Sequence, residues 1–253
     1  MISYNELMTS PPLPAAARCC LFLDIDGTLL DFATTPDGVR VDEPLRALLR
    51  QLDRLCDGAV AFVSGRSITD IDELFEPLYL AAAGVHGCER RDADGKWMRP
   101  AFRGDGLRDF LDRIRGQLAS LDGVLVEDKG CAAALHYRRA PHLEGPLRAL
   151  LLRFVATLPS NFELFEGDHV FEIKPATYTK ATAIEAFMQE APFAGRFPIF
   201  IGDDSTDQDG FAAIRRYKGL AIGVGNRVAA DWRLPNPAAV RRWLESFLLR
   251  RAS

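Results

Sequence analysis

Asp24, Asp26 and Asp31 fall within one short run, LFLDIDGTLLD (21–31), where an apolar segment ends in carboxylates. Carboxylates this close repel one another, and unless a cation compensates them one must stay protonated, so the run predicts a positive group at its end. Asp24 and Asp26 alternate and would share a strand face; the Gly27-Thr28 turn lets the backbone curl so that both address one point. A calcium loop starting at Asp24 would need Gly at 29 and Glu at 35, but the chain has Leu29 and Thr35. Two further polar ends follow, VSGR with Ser64 and Arg66, and GDDSTD with Asp203, Asp204 and Asp207. Alone, each reads as an ordinary polar turn or loop. Together they offer oxygen-only ligands, which suit Mg²⁺ better than zinc or copper. A fourth stretch, FEIKPATYTKA, supplies Lys174 and Lys180. Thr177 and Thr179 can each cap a helix, which puts Lys180 in a first turn whose dipole also favours an anion. A lysine on a surface helix is ordinarily only solvated, so Lys180 gains meaning from its company.

The segments that carry these groups share one grammar. CLFLDIDG (20–27), GAVAFVSGR (58–66) and FPIFIGDDSTD (197–207) are continuous apolar runs that stop at Asp or Ser with Gly, as strands of a parallel sheet buried on both faces do. Helical spacing of apolar residues appears between them, in EPLRALLRQLDRL (43–55) and KATAIEAFMQEA (180–191). The alternation predicts a doubly wound α/β core with a parallel, Rossmann-like sheet, in which ligands bind beyond the carboxyl ends of the strands. The middle differs: a helical face over 106–121 precedes GVLVED and CAAALHYR, then a helix over 142–158 precedes two strands in 161–174 joined by a tight Glu-Gly-Asp turn. Helix-strand-strand given twice predicts an inserted smaller α/β cap domain over 104–176, with 1–103 and 177–253 forming the core. Gly and Pro in FRGD and KPATY place a hinge at 102–105 and 174–178.

Composition bounds the partners. At 253 residues and 48% hydrophobic, the chain suffices for one large domain or two modest ones. Its 31 basic and 35 acidic residues give −4 without long blocks of one sign, which argues against nucleic acid as a main partner. Cys19, Cys20, Cys56, Cys88 and Cys131 are odd in number and lack C-x-x-C spacing, so they signal neither a disulfide framework nor a zinc site. The N-terminus lacks the form of a signal peptide, and no apolar run reaches the roughly 18 residues of a membrane span. The expectation is a soluble, cytoplasmic monomer with a Pro-rich leader and no membrane partner. GVGNRV (223–228) lacks the third Gly of a dinucleotide fingerprint, and there is no phosphate-binding G-x-x-x-x-G-K-[ST]. His86, His136, His142 and His169 show no metal-ligand spacing and read as structural, His86 as a neighbour of the site.

DIDGT, SGR, a downstream Lys and GDDSTD, in this order and spanning about 20 to 225, resemble the haloacid dehalogenase (HAD) superfamily of phosphatases. AGVHGCE (83–89), LHYR (135–138) and FEIKP (171–175) narrow the resemblance to the trehalose-6-phosphate phosphatase family, whose α/β cap lies between the second and third motifs. The resemblance implies Mg²⁺-dependent hydrolysis of trehalose 6-phosphate, in trehalose biosynthesis, through an aspartyl-phosphate on Asp24. By the same resemblance Asp26 protonates the departing sugar oxygen and then activates water. Mg²⁺ would be held by the Asp24 carboxylate, the Asp26 backbone carbonyl and Asp203, with Asp204 or Asp207 nearby. Ser64 and Lys180 would bind phosphoryl oxygens with Arg66 beside them. Glu127, Lys129, Arg138, Glu172 and Lys174 would contact the disaccharide or its phosphate. Two positions depart from the family habit, Ala181 for Gly after the motif Lys and Gln208 for an acidic residue after GDDSTD. Three other readings compete. One is a sucrose-phosphate type phosphatase. A phosphomutase would carry a helical cap between the first two motifs, where only residues 29–63 lie. A non-catalytic sugar-phosphate sensor would have lost a catalytic carboxylate, and none is lost.

Overall fold

All five residues of β1 (Cys19–Leu23) are fully buried, as a continuous apolar run inside a parallel sheet must be. The computed structural model describes residues 10–31, 40–98, 105–118, 121–158, 161–167 and 169–249. Residues 1–9 of the expected leader and 102–104 of the expected hinge lie outside these. After β1 comes α1 (Glu43–Leu55), capped by Asp42, whose side chain accepts the Leu45 N–H; it buries Leu45, Leu48, Leu49 and Leu52 in one stripe. β2 (Val60–Val63) leads into α2 (Ile68–Phe75), opened by a reciprocal capping box of Ser67 and Asp70. Next are β3 (Ala81–Gly84), β4 (Glu89–Arg91) and β5 (Trp97–Met98). The middle of the chain forms α3 (Asp105–Leu118), β6 (Leu125–Asp128), β7 (Ala133–His136), α4 (Glu144–Val155), β8 (Phe162–Gly167) and β9 (Val170–Pro175). Last come α5 (Lys180–Phe187), β10 (Phe197–Gly202), α6 (Asp207–Arg216), β11 (Leu220–Val224), β12 (Trp232–Leu234) and α7 (Pro237–Leu249). The helix expected to reach 191 ends at Phe187, because Pro192 bars helical backbone ahead of it.

Contacts divide the chain into two compact units, Met1–Met98 with Thr179–Ser253, and Arg99–Tyr178. The first holds an eight-stranded sheet in the order β12-β11-β10-β1-β2-β3-β4-β5, parallel from β12 through β3, with β4 and β5 antiparallel at the edge. From β1 the chain winds outward through β2 and β3, then returns to place β10 on the other side of β1. The reversal of winding therefore falls between β1 and β10, which opens a crevice beyond their carboxyl ends. Asp24 follows β1 and Asp203 follows β10, so the topology sets the two acidic ends side by side. The Asp24 N–H donates to Ile201 O at 3.0 Å, and the Ser64 N–H donates to Ala83 O at 2.9 Å, which ties both site residues to neighbouring strands.

The second unit is a four-stranded antiparallel sheet, β6-β7-β9-β8. Strand alternation gives it one apolar and one polar face. Ala133, Leu135, Phe162, Phe171 and Ile173 pack on Leu107, Phe110 and Ile114 of α3 and on Leu147, Leu151 and Phe154 of α4. Each large apolar side chain buried in this way contributes about 1.5–3 kcal/mol. Glu127, Ala134, Glu172 and Phe165 lie directly opposite one another across the four strands, on the other face.

Candidate active site

The positive group that the Asp24 cluster requires is Lys180. Thr179 caps α5 through its side chain and sets Lys180 in the first turn. From there Lys180 Nζ donates to Asp24 Oδ1 at 2.8 Å and to Asp207 Oδ1 at 2.7 Å. Asp24, Lys180, Asp203 and Asp207 are all buried, at 5%, 3%, 3% and 0% exposure, so these charges interact with little screening. Gly27, at φ 78°, turns the chain after β1 and brings Thr28 back towards Asp24. The Thr28 hydroxyl lies 3.0 Å from Asp24 Oδ2 and 3.3 Å from Asp203 Oδ1, which joins the two acidic strand ends. Asp207 Oδ2 accepts the backbone N–H groups of Asp203 and Asp204 at 2.8 and 2.9 Å. A Cβ at position 202 would come within 2.3 Å of Asp207 Cγ, so only glycine lets this carboxylate sit under the loop. Asp204 Oδ1 accepts from the Thr206 N–H at 2.9 Å and from its hydroxyl at 2.5 Å.

Asp26 and Arg66 form a fork-to-fork pair, with Arg66 Nε 2.7 Å from Oδ2 and Nη2 2.7 Å from Oδ1. Ser64, buried at the end of β2, accepts the Arg66 N–H through Oγ at 3.2 Å. His86 lies beside this loop, as expected: its N–H donates to Ser64 O at 2.9 Å and its ring fills the space a Cβ on Gly65 would need. Val85 and His86 both hold positive φ, 47° and 56°, a costly backbone for a β-branched residue and one found where structure over-determines a site.

Electrostatics bear on what the cluster can hold. Burial pushes the Asp24 carboxyl well above its ordinary value, against the pull of Lys180, and the Asp207 and Asp203 charges add to the rise. Asp203 is pushed up to about 6 by burial and by the Asp204 and Asp207 charges. Burial opposes the charge on Lys180, but Asp207 and Asp24 outweigh it and raise its pKa. Burial and mutual repulsion thus exceed what Lys180 and Arg227 offset at Asp24 and Asp203, and a further cation would relieve both. Asp24, Asp203 and Asp207 also bring oxygens within 4.8 Å of one another, an oxygen-only donor set that fits a hard divalent cation. Asp207 is held by two backbone N–H groups as well as by Lys180, whereas the oxygens of Asp24 and Asp203 meet the side chains of Lys180, Thr28 and Arg227, which can turn aside for a cation.

A pH effect follows for the metal-free protein. Asp203 titrates near 3.8 in the unfolded chain and near 6 when folded. Its protonation therefore stabilises the fold fully below about 4, and that contribution is lost as pH rises to about 6. Thermal denaturation in chelator should accordingly give a higher midpoint at about pH 5 than at pH 7, from a difference of about 1 kcal/mol between those two pH values. Saturating Mg²⁺ should reverse the order, because cation binding needs the carboxylate form.

The polar face of the second unit collects Glu127, Lys129, Glu172 and Lys174. Lys129 Nζ donates to Glu172 Oε1 at 2.6 Å, and Lys174 Nζ donates to Glu163 Oε1 at 3.0 Å. Glu172 and Lys174 are buried, while Arg138, just past β7, is exposed. His136 Nε2 lies 2.7 Å from Glu127 Oε2. Burial works against the charge on Glu127, but the His136 contact and the Lys129 ammonium outweigh it and hold its pKa below the ordinary value. Histidine spacing alone could not reveal His136; its signal was the even-numbered alternation with Ala134 on the face that pairs with Glu127. Thr28 and Arg227 also join the site without a signal of their own. Thr28 stands inside DIDGT, four residues from Asp24. Arg227 belongs to GVGNRV, and its Nη2 donates to Asp203 Oδ2 at 2.6 Å.

The family model described as trehalose-phosphatase matches residues 22–235. The chain is 41% identical over 242 residues to the trehalose-6-phosphate phosphatase of Escherichia coli (strain K12), covering 95% of this chain and 90% of that one. It is 42% identical over 228 residues to a probable trehalose-phosphate phosphatase of Sinorhizobium fredii, covering 87% and 84%. Among solved structures, the C-terminal domain of a C. albicans trehalose-6-phosphate phosphatase superposes with a TM-score of 0.77 at 22% identity, covering 91% of this chain and 92% of that one. At that identity the superposition speaks for the fold alone.

Proposed function

Since the chain belongs to the trehalose-phosphatase family, we propose that it is a Mg²⁺-dependent phosphatase that hydrolyses trehalose 6-phosphate to trehalose and phosphate, as a step of trehalose synthesis. The observation that carries this reading is the buried Asp24 carboxylate, held by Lys180 on one oxygen and by Thr28 on the other, with Asp203 at the same hydroxyl.

Asp24 attacks phosphorus and forms an aspartyl-phosphate as the sugar oxygen leaves. Asp26 gives that oxygen its proton, then takes one from the water that opens the aspartyl-phosphate. Both roles need the Asp26 carboxyl turned to the reacting atoms, so Arg66 must release it or turn with it. Lys180 and the Ser64 hydroxyl bind phosphoryl oxygens and hold the group in line with Asp24. A bound Mg²⁺, held by Asp24, Asp203 and the Asp26 carbonyl, would draw off phosphoryl charge. Asp207 keeps Lys180 and the 203–204 backbone in place, and Asp204 orders the same loop through Thr206. We assign sugar recognition to the polar face of the second unit, where carboxylates such as Glu127 and Glu172 can accept paired hydrogen bonds from neighbouring hydroxyls. A monomer working in the cytoplasm accords with this reading; among the described residues no helix is long and apolar enough to cross a membrane.

Comparing kcat/KM over trehalose 6-phosphate, sucrose 6-phosphate and glucose 6-phosphate tests the substrate. Trehalose 6-phosphate should be the best of the three, and equal values for the sucrose ester would overturn the assignment. For the recognition face, Glu127→Ala should lower kcat/KM for trehalose 6-phosphate about 10- to 100-fold, the worth of hydrogen bonds to a charged group, and leave a small aryl phosphate nearly untouched. An equal fall on both substrates would make Glu127 a structural residue.

A further inference from the structure

We propose that Arg227 is a built-in counter-ion for Asp203, which occupies the carboxylate in the metal-free enzyme and must yield it when a divalent cation binds. This inference rests on the Mg²⁺ reading above. Asp203 is buried, with Thr28 on Oδ1 and the Arg227 guanidinium 2.6 Å from Oδ2. Lys180, the other cation of the cluster, is committed to Asp24 and Asp207. Arg227 thus compensates the carboxylate that Lys180 does not reach.

The two partners differ in freedom. The Asp203 side chain is 5% exposed and the Arg227 side chain 49% exposed, so the arginine can return to water at small cost and the carboxylate cannot. The loop under Arg227 is pinned on both sides. Arg233 donates through Nη1 to Gly225 O and through Nη2 to Val228 O at 2.8 Å, and the Gly225 N–H donates to Leu234 O at 2.9 Å. The backbone of this loop can therefore stay in place while the Arg227 side chain turns. Room for it exists in a cavity of about 290 Å³ lined by Gly27, Asp31, Asp203, Gly225, Arg227 and Asn236. Asp31, which the acidic run introduced with no role in the chemistry, stands on the wall of that cavity, where its carboxylate can receive the displaced guanidinium.

Arg227→Gln in the full chain separates the possibilities by calorimetric titration with Mg²⁺ and by thermal denaturation. With the competitor gone, the Kd for Mg²⁺ should fall about fivefold, the scale of a partly exposed ion pair. The thermal midpoint should drop in chelator and match wild type at saturating Mg²⁺. An unchanged or weaker Mg²⁺ affinity, or a midpoint lowered equally with and without the cation, would overturn the handover and leave Arg227 structural. If wild type itself takes up no Mg²⁺, the metal reading fails first, and the titration shows that separately.

Discussion

Asp24→Asn should abolish turnover, by about four orders of magnitude or more, while the protein stays folded and still binds trehalose 6-phosphate. Loss of the attacking group removes the covalent step itself, and losses of this size are what nucleophile substitutions produce. The structure explains why folding should survive. Burial already pushes the Asp24 carboxyl up, so a neutral isostere relieves a cost. Asn retains an oxygen for the Lys180 or Thr28 contact, and Asp207 continues to hold Lys180. Phosphate release and calorimetric substrate binding, measured on the same preparation, check both halves. Turnover within tenfold of wild type would remove the aspartyl-phosphate from the mechanism.

Lys180→Met should damage stability as well as activity. Its ammonium sits between two carboxylates, with side-chain exposures of 3% for Lys180, 7% for Asp24 and 0% for Asp207. Removing one member of a buried ion pair costs about 3–5 kcal/mol, because the partners remain charged and unsolvated. Here two partners are stranded, and Asp207 also anchors the backbone of the 203–204 loop. The sign of the pH dependence follows. Without Lys180 the folded pKa values of Asp24 and Asp207 rise further above their unfolded values, so the variant should regain stability as pH falls and lose it as pH rises through those folded values. Denaturant unfolding at several pH values measures this, and a Lys180→Met protein as stable as wild type at neutral pH would show that the cluster needs no internal cation.

Much of the site was legible along the chain because parallel strands end where chemistry is done. Asp24, Ser64 and Asp203 each terminate an apolar run, and Thr179 ahead of Lys180 marked the helix start that aims the lysine. The pairings were not legible, since they depend on which loops become neighbours. Arg66 on Asp26 joins the turns after β2 and β1, and Arg227 on Asp203 joins the turns after β11 and β10. No spacing in the chain encodes these contacts; they come from strand order. His136 and Glu127 meet only through the register of an antiparallel hairpin. The β3-to-β5 side of the core sheet is illegible for a different reason. β3 is Ala-Ala-Ala-Gly, poor in β-branched residues, and β5 has two residues, so neither carries a periodic signal.

Whether this carboxylate cluster works as a Mg²⁺-dependent phosphatase site is decided by phosphate release from trehalose 6-phosphate, measured on protein stripped with chelator and then titrated with Mg²⁺. Release should be absent in chelator and return in proportion to Mg²⁺ occupancy. Release that continues unchanged in chelator, or a Mg²⁺-saturated protein that leaves trehalose 6-phosphate intact, would contradict that role.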